Sequence, residues 1–322
     1  MNRNIQRIIA YSTGVLVSLV YGFSCQLMVR KKFENEALIV MSYGFVFLLP
    51  FCLGIITVYF ASERLQKSFL FQIFMPWVTS TCSMVISMLI GMEGTICLFM
   101  ALPVYFFCSS LGGLLTGLYL RKNNNNRFNP VFLSLFLFTP IISGTIESKI
   151  PLPKEIRTVL TEIDIDANPE KIWQHITVIP KITEKQTGFF YLMGFPKPVE
   201  ATLSFPGVGG VREAKFEKGL FFLETISKWV PNDELVFDIA ADPEQTPLTT
   251  LDPHVVVGGH FFDTLEGRYK IIPLGNNRSK LLLSSRYRIS TRFNIYARIW
   301  SDFLMSDIQN NILRVIKSRC EK

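Results

Sequence analysis

Five apolar stretches in the first 146 residues constrain this chain more than any other feature. A helix needs roughly 20 apolar residues to cross a bilayer. Runs near 8–29, 37–60, 69–92, 95–120 and 128–146 meet that requirement. Their boundaries are charged or polar: Arg30-Lys31-Lys32, then Glu63, Arg64 and Lys67, then Glu93, then Arg121-Lys122 before four asparagines. Arg3 and Arg7 precede the first run as in a secretion signal, but its apolar core is too long for one. No small-x-small cleavage site stands out, and Gly22-Phe23-Ser24 lacks the leucine a lipoprotein signal places before its cysteine, here Cys25. Residues 1–150 therefore read as a multi-pass all-α membrane region of about five helices.

Charge follows the same division. The formal net charge is +7. Up to Ile146 there are ten Lys/Arg against four Asp/Glu, and beyond it twenty-three against twenty-two. The excess lies in loops between apolar runs, where basic residues set membrane orientation. No basic stripe with interleaved aromatics occurs in the second half, so nucleic acid is not an expected partner. Arg3, Arg7, Arg64, Lys67, Arg121, Lys122 and Arg127 share one side, against Arg30, Lys31 and Lys32 on the other. That bias favours a cytoplasmic N-terminus and an exported C-terminal domain, as in a bacterial inner-membrane protein. Counting Lys149, Lys154 and Arg157 narrows it almost to nothing.

Ion and proton pathways place costly ionisable groups inside the membrane. These runs hold essentially none, so an anchoring bundle is the expectation. Pro50, Pro76, Pro103 and Pro140 put one potential kink in each of the last four helices. Ser109, Gly113 and Gly117 form a small-xxx-small face suited to close helix packing or self-association. Five of the six cysteines lie inside apolar runs and no CxxC pair occurs, which leaves the compartment open.

After a linker at 151–157 the pattern changes. Ile163 and Ile165 alternate with Glu162, Asp164 and Asp166, the period of a half-buried strand. Asn168 is placed to cap a helix whose first turn takes Pro169. Ile172, Trp173 and Ile176 share one face of it. This opening, with Asp166-Ala167-Asn168-Pro169-Glu170-Lys171-Ile172-Trp173, resembles the START-like superfamily, also called SRPBCC, which includes polyketide cyclases and lipid-transfer domains. Its members often open on an acidic–apolar alternation followed by Ala-x-Pro-Glu-x-[Val/Ile]-Trp. The resemblance implies a helix-grip domain over 158–322, an α+β fold in which a curved antiparallel sheet wraps a long C-terminal helix. The segment Tyr296-Ala297-Arg298-Ile299-Trp300-Ser301-Asp302 with Leu313-Arg314-Val315-Ile316-Lys317 is also similar to bacterial membrane proteins that carry such a domain after several helices. The resemblance implies no particular reaction, because the superfamily hosts binders, transporters and enzymes.

The rest of the chain is consistent with that fold. Strand patterns at 199–205, 211–218, 220–230, 235–241, 261–273 and 280–291 are separated by glycine- and asparagine-rich turns. Residues 181–187 are expected to form a second short helix. Residues 188–195 form an apolar loop that either covers the core or touches lipid. A final helix over 294–318 carries Ile295, Ile299, Phe303, Ile308, Ile312, Val315 and Ile316 as its apolar face, with Arg298, Asp302, Gln309 and Lys317 elsewhere.

Alternation turns Ile163, Ile165, Ala201, Leu203, Phe205, Phe237, Ile239, Leu281, Leu283, Ser285, Tyr287 and Ile289 inward, an apolar lining suited to a hydrophobic ligand. The ligand-binding candidates are Arg212, Phe237, Leu281, Leu283, Ser285 and Tyr287. A buried arginine needs a carboxylate or an anionic ligand. Arg212 is therefore expected either to hold a lipid phosphate or carboxylate, or to pair at the rim with Glu213 or Glu224. His254, His260 and Asp252 cluster in one long connection and are the candidates for acid–base chemistry. Their spacing matches no metal-ligand motif, and no Rossmann-type or Walker sequence occurs, so no metal and no cofactor are expected. Two functions follow: a membrane-tethered module binding a lipid or other apolar molecule, or alternatively a cyclase- or hydrolase-like enzyme using His254, His260 and Asp252.

Overall fold

A computed structural model describes residues 3–32, 36–123, 130–241 and 256–322. The chain divides into two compact units, Met1–Glu93 with Cys97–Leu152, and Pro153–Lys322 with Gly94–Ile96.

The first unit is helical: α1 (Arg3–Lys32), α2 (Glu36–Val40), a π-helical turn (Gly44–Leu48), α3 (Leu49–Tyr59), α4 (Glu63–Gln66), α5 (Phe69–Leu89), α6 (Thr95–Lys122), α7 (Pro130–Leu137) and α8 (Thr139–Glu147). Among the described residues three helices are long and apolar enough to cross a membrane: Ser12–Val29 within α1, then Phe69–Leu89 and Thr95–Lys122. The second and fifth expected crossings are interrupted instead. Proline lacks an amide donor and clashes with the carbonyl one turn back, but it suits a helix's first turn. Pro140 occupies that place in α8, whereas Pro76 and Pro103 lie inside unbroken helices. Pro50 lies within the helical run Gly44–Tyr59, whose break from α2 falls at Met41–Ser42. Glu147 closes one gap by accepting from the Tyr43 and Gly44 amides at 2.8 and 3.3 Å.

Within this unit polar side chains pair with one another, as an apolar environment requires. Ser18 donates to the Leu53 carbonyl (2.9 Å), and Thr57 bonds both Ser18 and Thr79 at 3.0 Å. The Ser109–Gly113–Gly117 face packs inside the chain. A Cβ on Gly54 would strike the Ser109 carbonyl, and one on Gly113 or Gly117 would strike Gln72.

The second unit holds β1 (Glu155–Ile165), α9 (Pro169–Thr177), α10 (Phe189–Leu192), β2 (Pro198–Leu203), β3 (Val211–Phe216), β4 (Phe221–Val230), β5 (Glu234–Ala241), β6 (Phe262–Gly275), β7 (Arg278–Ile289) and α11 (Asn294–Cys320). Its seven strands form one antiparallel sheet in the order β1-β7-β6-β5-β4-β3-β2. First and last strands are neighbours, and α11 returns along β1 and β7. This is the helix-grip architecture. β1 begins within the expected linker, because Arg157 turns inward to Asp302 of α11.

Alternation along β1 buries Val159 and Ile165 and sends Ile156, Leu160, Glu162 and Asp164 outward. Asn168 caps α9 by accepting from the Lys171 amide at 2.9 Å. α9 then buries Ile172, Trp173 and Ile176 against the sheet, with Trp173 set edge-on to Trp229 at 5.0 Å. These residues share one core with Ile165, Ile226, Leu235, Phe237, Tyr269, Leu281, Leu283, Leu313 and Ile316. Burying one such aliphatic side chain contributes about 1.5–3 kcal/mol.

Three expectations about this unit are corrected. Residues 181–187 form no helix, because the Ile182 amide bonds the Val199 carbonyl (2.7 Å) and Ile179 bridges Ala201, which holds the backbone against β2. The helical turn falls instead in the apolar loop, as α10. Phe205 is 51% exposed, because β2 ends at Leu203 and the alternation lapses beyond it. The third concerns α11, whose Ile295, Ile299 and Phe303 are exposed while Gln309 is buried. Gln309 turns inward because it donates to the Ser285 hydroxyl (2.9 Å) and the Val159 carbonyl (3.3 Å).

Candidate functional site

On the inner face of the sheet, α11 and α9 cover β1, β7 and β6 and share their core with Ile226 and Trp229 of β4 and Leu235 and Phe237 of β5. At the β2 edge, residues 179–195 form a roof segment that pairs with β2 through Ile179 and Ile182 and then bonds α11 through Glu184, Thr187 and Phe190.

Arg212 stands on β3. Register places it beside Leu203 of β2 and Glu224 of β4, and Glu224 beside Ile239 of β5. Arg212 is 3% exposed and Glu224 is 7% exposed, so the expected rim position becomes a buried one. The Arg212 Nη1 donates to the Glu224 carboxylate. The guanidinium carbon sits 5.3 Å from the centre of the Phe237 ring. Burial opposes the Arg212 charge, but the Glu224 carboxylate against it raises the guanidinium's pKa; burial also raises the Glu224 carboxyl, against the lowering effect of Arg212. Tyr269, 2% exposed, adjoins the pair, and burial raises its hydroxyl above the ordinary tyrosine range. The Arg212 Nε is buried without a hydrogen-bond partner. A donor left in that state costs about 1–3 kcal/mol.

Phe237 reaches this position because its cross-strand neighbour is Gly267; a Cβ there would run into the ring. Beyond the pair, Leu203 and Ile239 are only half-buried although both face inward. Both pack, partly exposed, against the core that holds Phe237 and Tyr269, so aliphatic carbon flanks the ion pair on the neighbouring strands.

The roof is strapped to α11 by polar bonds. Arg319 holds Glu184 (2.8 Å) and donates to the carbonyls of Pro180 and Lys181, both at 3.0 Å. Asn311 and Asp307 each accept a backbone amide at 3.1 Å, from Thr187 and Phe190. Gly188 lies where any side chain would strike Asp307 and Asn311. Phe190, Tyr191 and Phe195 turn inward and Leu192 outward, so most of the apolar loop covers the core. The Arg319 hydrogen bond pulls the Glu184 pKa down to about 2.

The remaining candidates separate. Leu281 and Leu283 are packed in the main core beneath α11. Ser285 is engaged by Gln309, and the Tyr287 hydroxyl donates to Asp302 at 2.5 Å, where Arg157 also binds. Those two residues fasten α11 to β7 and turn no free polar atom toward β2–β5. His254 and Asp252 lie outside the described residues. His260 is exposed, and its carbonyl, with that of Gly259, is held by Arg288. Among the described residues no three His, Cys, Asp or Glu groups converge as metal ligands. Tyr269, Gln309 and Asp302 gave no motif signal. Only the period-2 alternation of β6 pointed Tyr269 inward.

No family model matches the chain, and no curated protein matches it. Among solved structures it is similar to the norcoclaurine synthase of Thalictrum flavum, at 10% identity over 51% of this chain and 86% of that one, with a TM-score of 0.32. The Zhui aromatase/cyclase from a Streptomyces species is 12% identical over 51% and 94%, with a TM-score of 0.33. The Aha1 dimer of Colwellia psychrerythraea is 17% identical over 51% and 96%, with a TM-score of 0.28. The helix-grip assignment itself rests on the strand order, the register and the returning C-terminal helix.

Proposed function

We propose that this is a membrane-anchored helix-grip protein whose β2–β5 face binds a hydrophobic small molecule or lipid. One observation carries the reading: an apolar inner face holds a buried Arg212 with an unpartnered Nε. Leu203 and Ile239, half-buried beside the ion pair, supply the apolar wall, and Phe237 lies beneath the guanidinium. A ligand with an apolar body and one acceptor oxygen, carboxylate, phosphate or carbonyl, satisfies both halves of that face. Leu281, Leu283, Ser285 and Tyr287 support it from behind, as core and as the fastening of α11.

Ile239→Trp adds bulk to the apolar wall beside Glu224 while keeping both members of the ion pair. Native mass spectrometry of the detergent-purified full chain should detect a co-purified apolar molecule in the parent and a severalfold loss of it in this variant. A parent that carries nothing, or a variant that retains all of it, rejects the reading.

Anchoring follows from the apolar helices, and the Lys/Arg distribution favours export of the second unit from a bacterial cytoplasm. A reporter active only outside the cytoplasm, fused after Lys322, should be active; signal from a cytoplasm-only reporter reverses the orientation.

A further inference from the structure

The first turns of α11 leave an apolar stripe uncovered. Ile295 is 73% exposed, Ile299 61% and Phe303 43%, one turn apart along the helix. Leu192, 88% exposed, extends the patch from α10, whose Phe189 and Phe190 rings lie 5.5 and 5.1 Å from that of Phe303. Tyr296 and Trp300 stack edge-on alongside, and Arg298 projects into solvent. Exposed aliphatic residues flanked by Tyr, Trp and Arg are the composition of a helix lying in a membrane interface. The other half of the helix is ordinary core, with Met305, Leu313 and Ile316 buried.

Chain connectivity identifies what covers the stripe. Asn294, the first residue of α11, donates to the Pro153 carbonyl at 3.0 Å, which ties the helix start to the linker. Asn294 is itself held by Thr291, whose amide and hydroxyl donate to its Oδ1 at 2.7 and 2.9 Å. Only residues 148–154 separate α8 from β1. Seven residues reach at most about 25 Å. The stripe starts one residue beyond this tether and runs about 12 Å along the helix at the α-helical rise. Connectivity therefore ties the start of the stripe to the linker that follows the last apolar run, whose seven residues limit how far the two can separate.

We infer that Ile295, Ile299, Phe303 and Leu192 form a membrane-docking face that seats the second unit on the lipid interface beside its anchor. The inference rests on reading the apolar helices as membrane-spanning, and it deepens the proposed function, because Leu192 belongs to the roof segment at the β2 edge of the ligand face. A roof whose outer side touches lipid gives an apolar ligand a route that avoids water.

The test uses the full chain in vesicles of phosphatidylcholine and phosphatidylglycerol. Photoreactive benzoylphenylalanine replaces Ile299, Leu192 or, as control, the exposed Asn310 further along α11, one at a time. Phospholipid adducts at 299 and 192 and none at 310 are expected by mass spectrometry. Absence of lipid adducts at 299 and 192, equal adducts at all three positions, or crosslinks to a second copy of the chain each overturn the docking face. Co-purified ligand is measured on the same preparations. Ligand without adducts rejects docking and leaves ligand binding standing; adducts without ligand do the reverse.

Discussion

Removing either member of the Arg212–Glu224 pair should damage the second unit far more than removing both. The side chains are 4% and 9% exposed, so water screens little of the charge left behind. Breaking a buried pair from one side costs about 3–5 kcal/mol, whereas apolar replacement of both partners is often neutral or stabilising. Arg212→Met strands the Glu224 carboxylate beside Ile239, and Glu224→Leu strands the guanidinium over Phe237. The double variant removes both charges and also the unpartnered Arg212 Nε. Native-state hydrogen exchange of the detergent-solubilised full chain reads the effect in peptides covering β3 and β4. At about 1.4 kcal/mol per tenfold, protection should fall about 140- to 3,700-fold in each single variant. In the double variant it should return to within about tenfold of the parent. Single variants as protected as the parent would mean that the pair is hydrated. A double variant as damaged as the singles would mean that the two residues do not compensate one another. The double variant should also lose the co-purified ligand despite its recovered stability, which separates a binding role for Arg212 from a purely structural one.

Two further outcomes follow from the packing. Trp173→Ala empties the space between α9 and Trp229 and should cost about 3–5 kcal/mol, seen as accelerated proteolysis of the second unit within the full chain; unchanged resistance would contradict the core assignment. The Glu184–Arg319 strap should weaken in acid. Glu184 titrates near 4.5 when free and near 2 in the fold, so its contribution is present above pH 4.5 and lost as pH falls toward 2. With its partly open setting allowed for, that amounts to about 1–2 kcal/mol. Exchange of peptides covering 180–195 should rise over that range, and Glu184→Gln should remove this acid dependence; a variant with the parent's dependence would refute the strap.

The strands were legible because a sheet with one buried face writes its period directly into the sequence, and β1 through β7 lie within a few residues of their expected positions. The α9 cap was legible for a similar local reason: Asn168 and Pro169 act on their own helix. What periodicity does not report is what covers a face. Ile295, Ile299 and Phe303 have the spacing of core residues, yet they lie on a different face of α11 from Asp302 and Met305, which meet β1 and β7. Gln309 looks like a solvent residue, yet Ser285 and the Val159 carbonyl need it inside. Pro140 begins a helix while Pro76 and Pro103 do not. The break in the second expected crossing falls at Met41–Ser42, beside the Tyr43 and Gly44 amides that donate to Glu147, rather than at Pro50. The Arg212–Glu224 contact was open to inference as one of two pairings, but choosing Glu224 required the cross-strand register of β3 and β4.

The measurement that bears most directly on the proposed function is an experimental density map of the full chain purified from membranes in mild detergent. Ligand binding at the β2–β5 face predicts elongated density beside Leu203 and Ile239, ending in a polar group within hydrogen-bond distance of the Arg212 Nε. Leu203 and Ile239 packed across the face, with the Arg212 Nε satisfied by the protein itself, would contradict it.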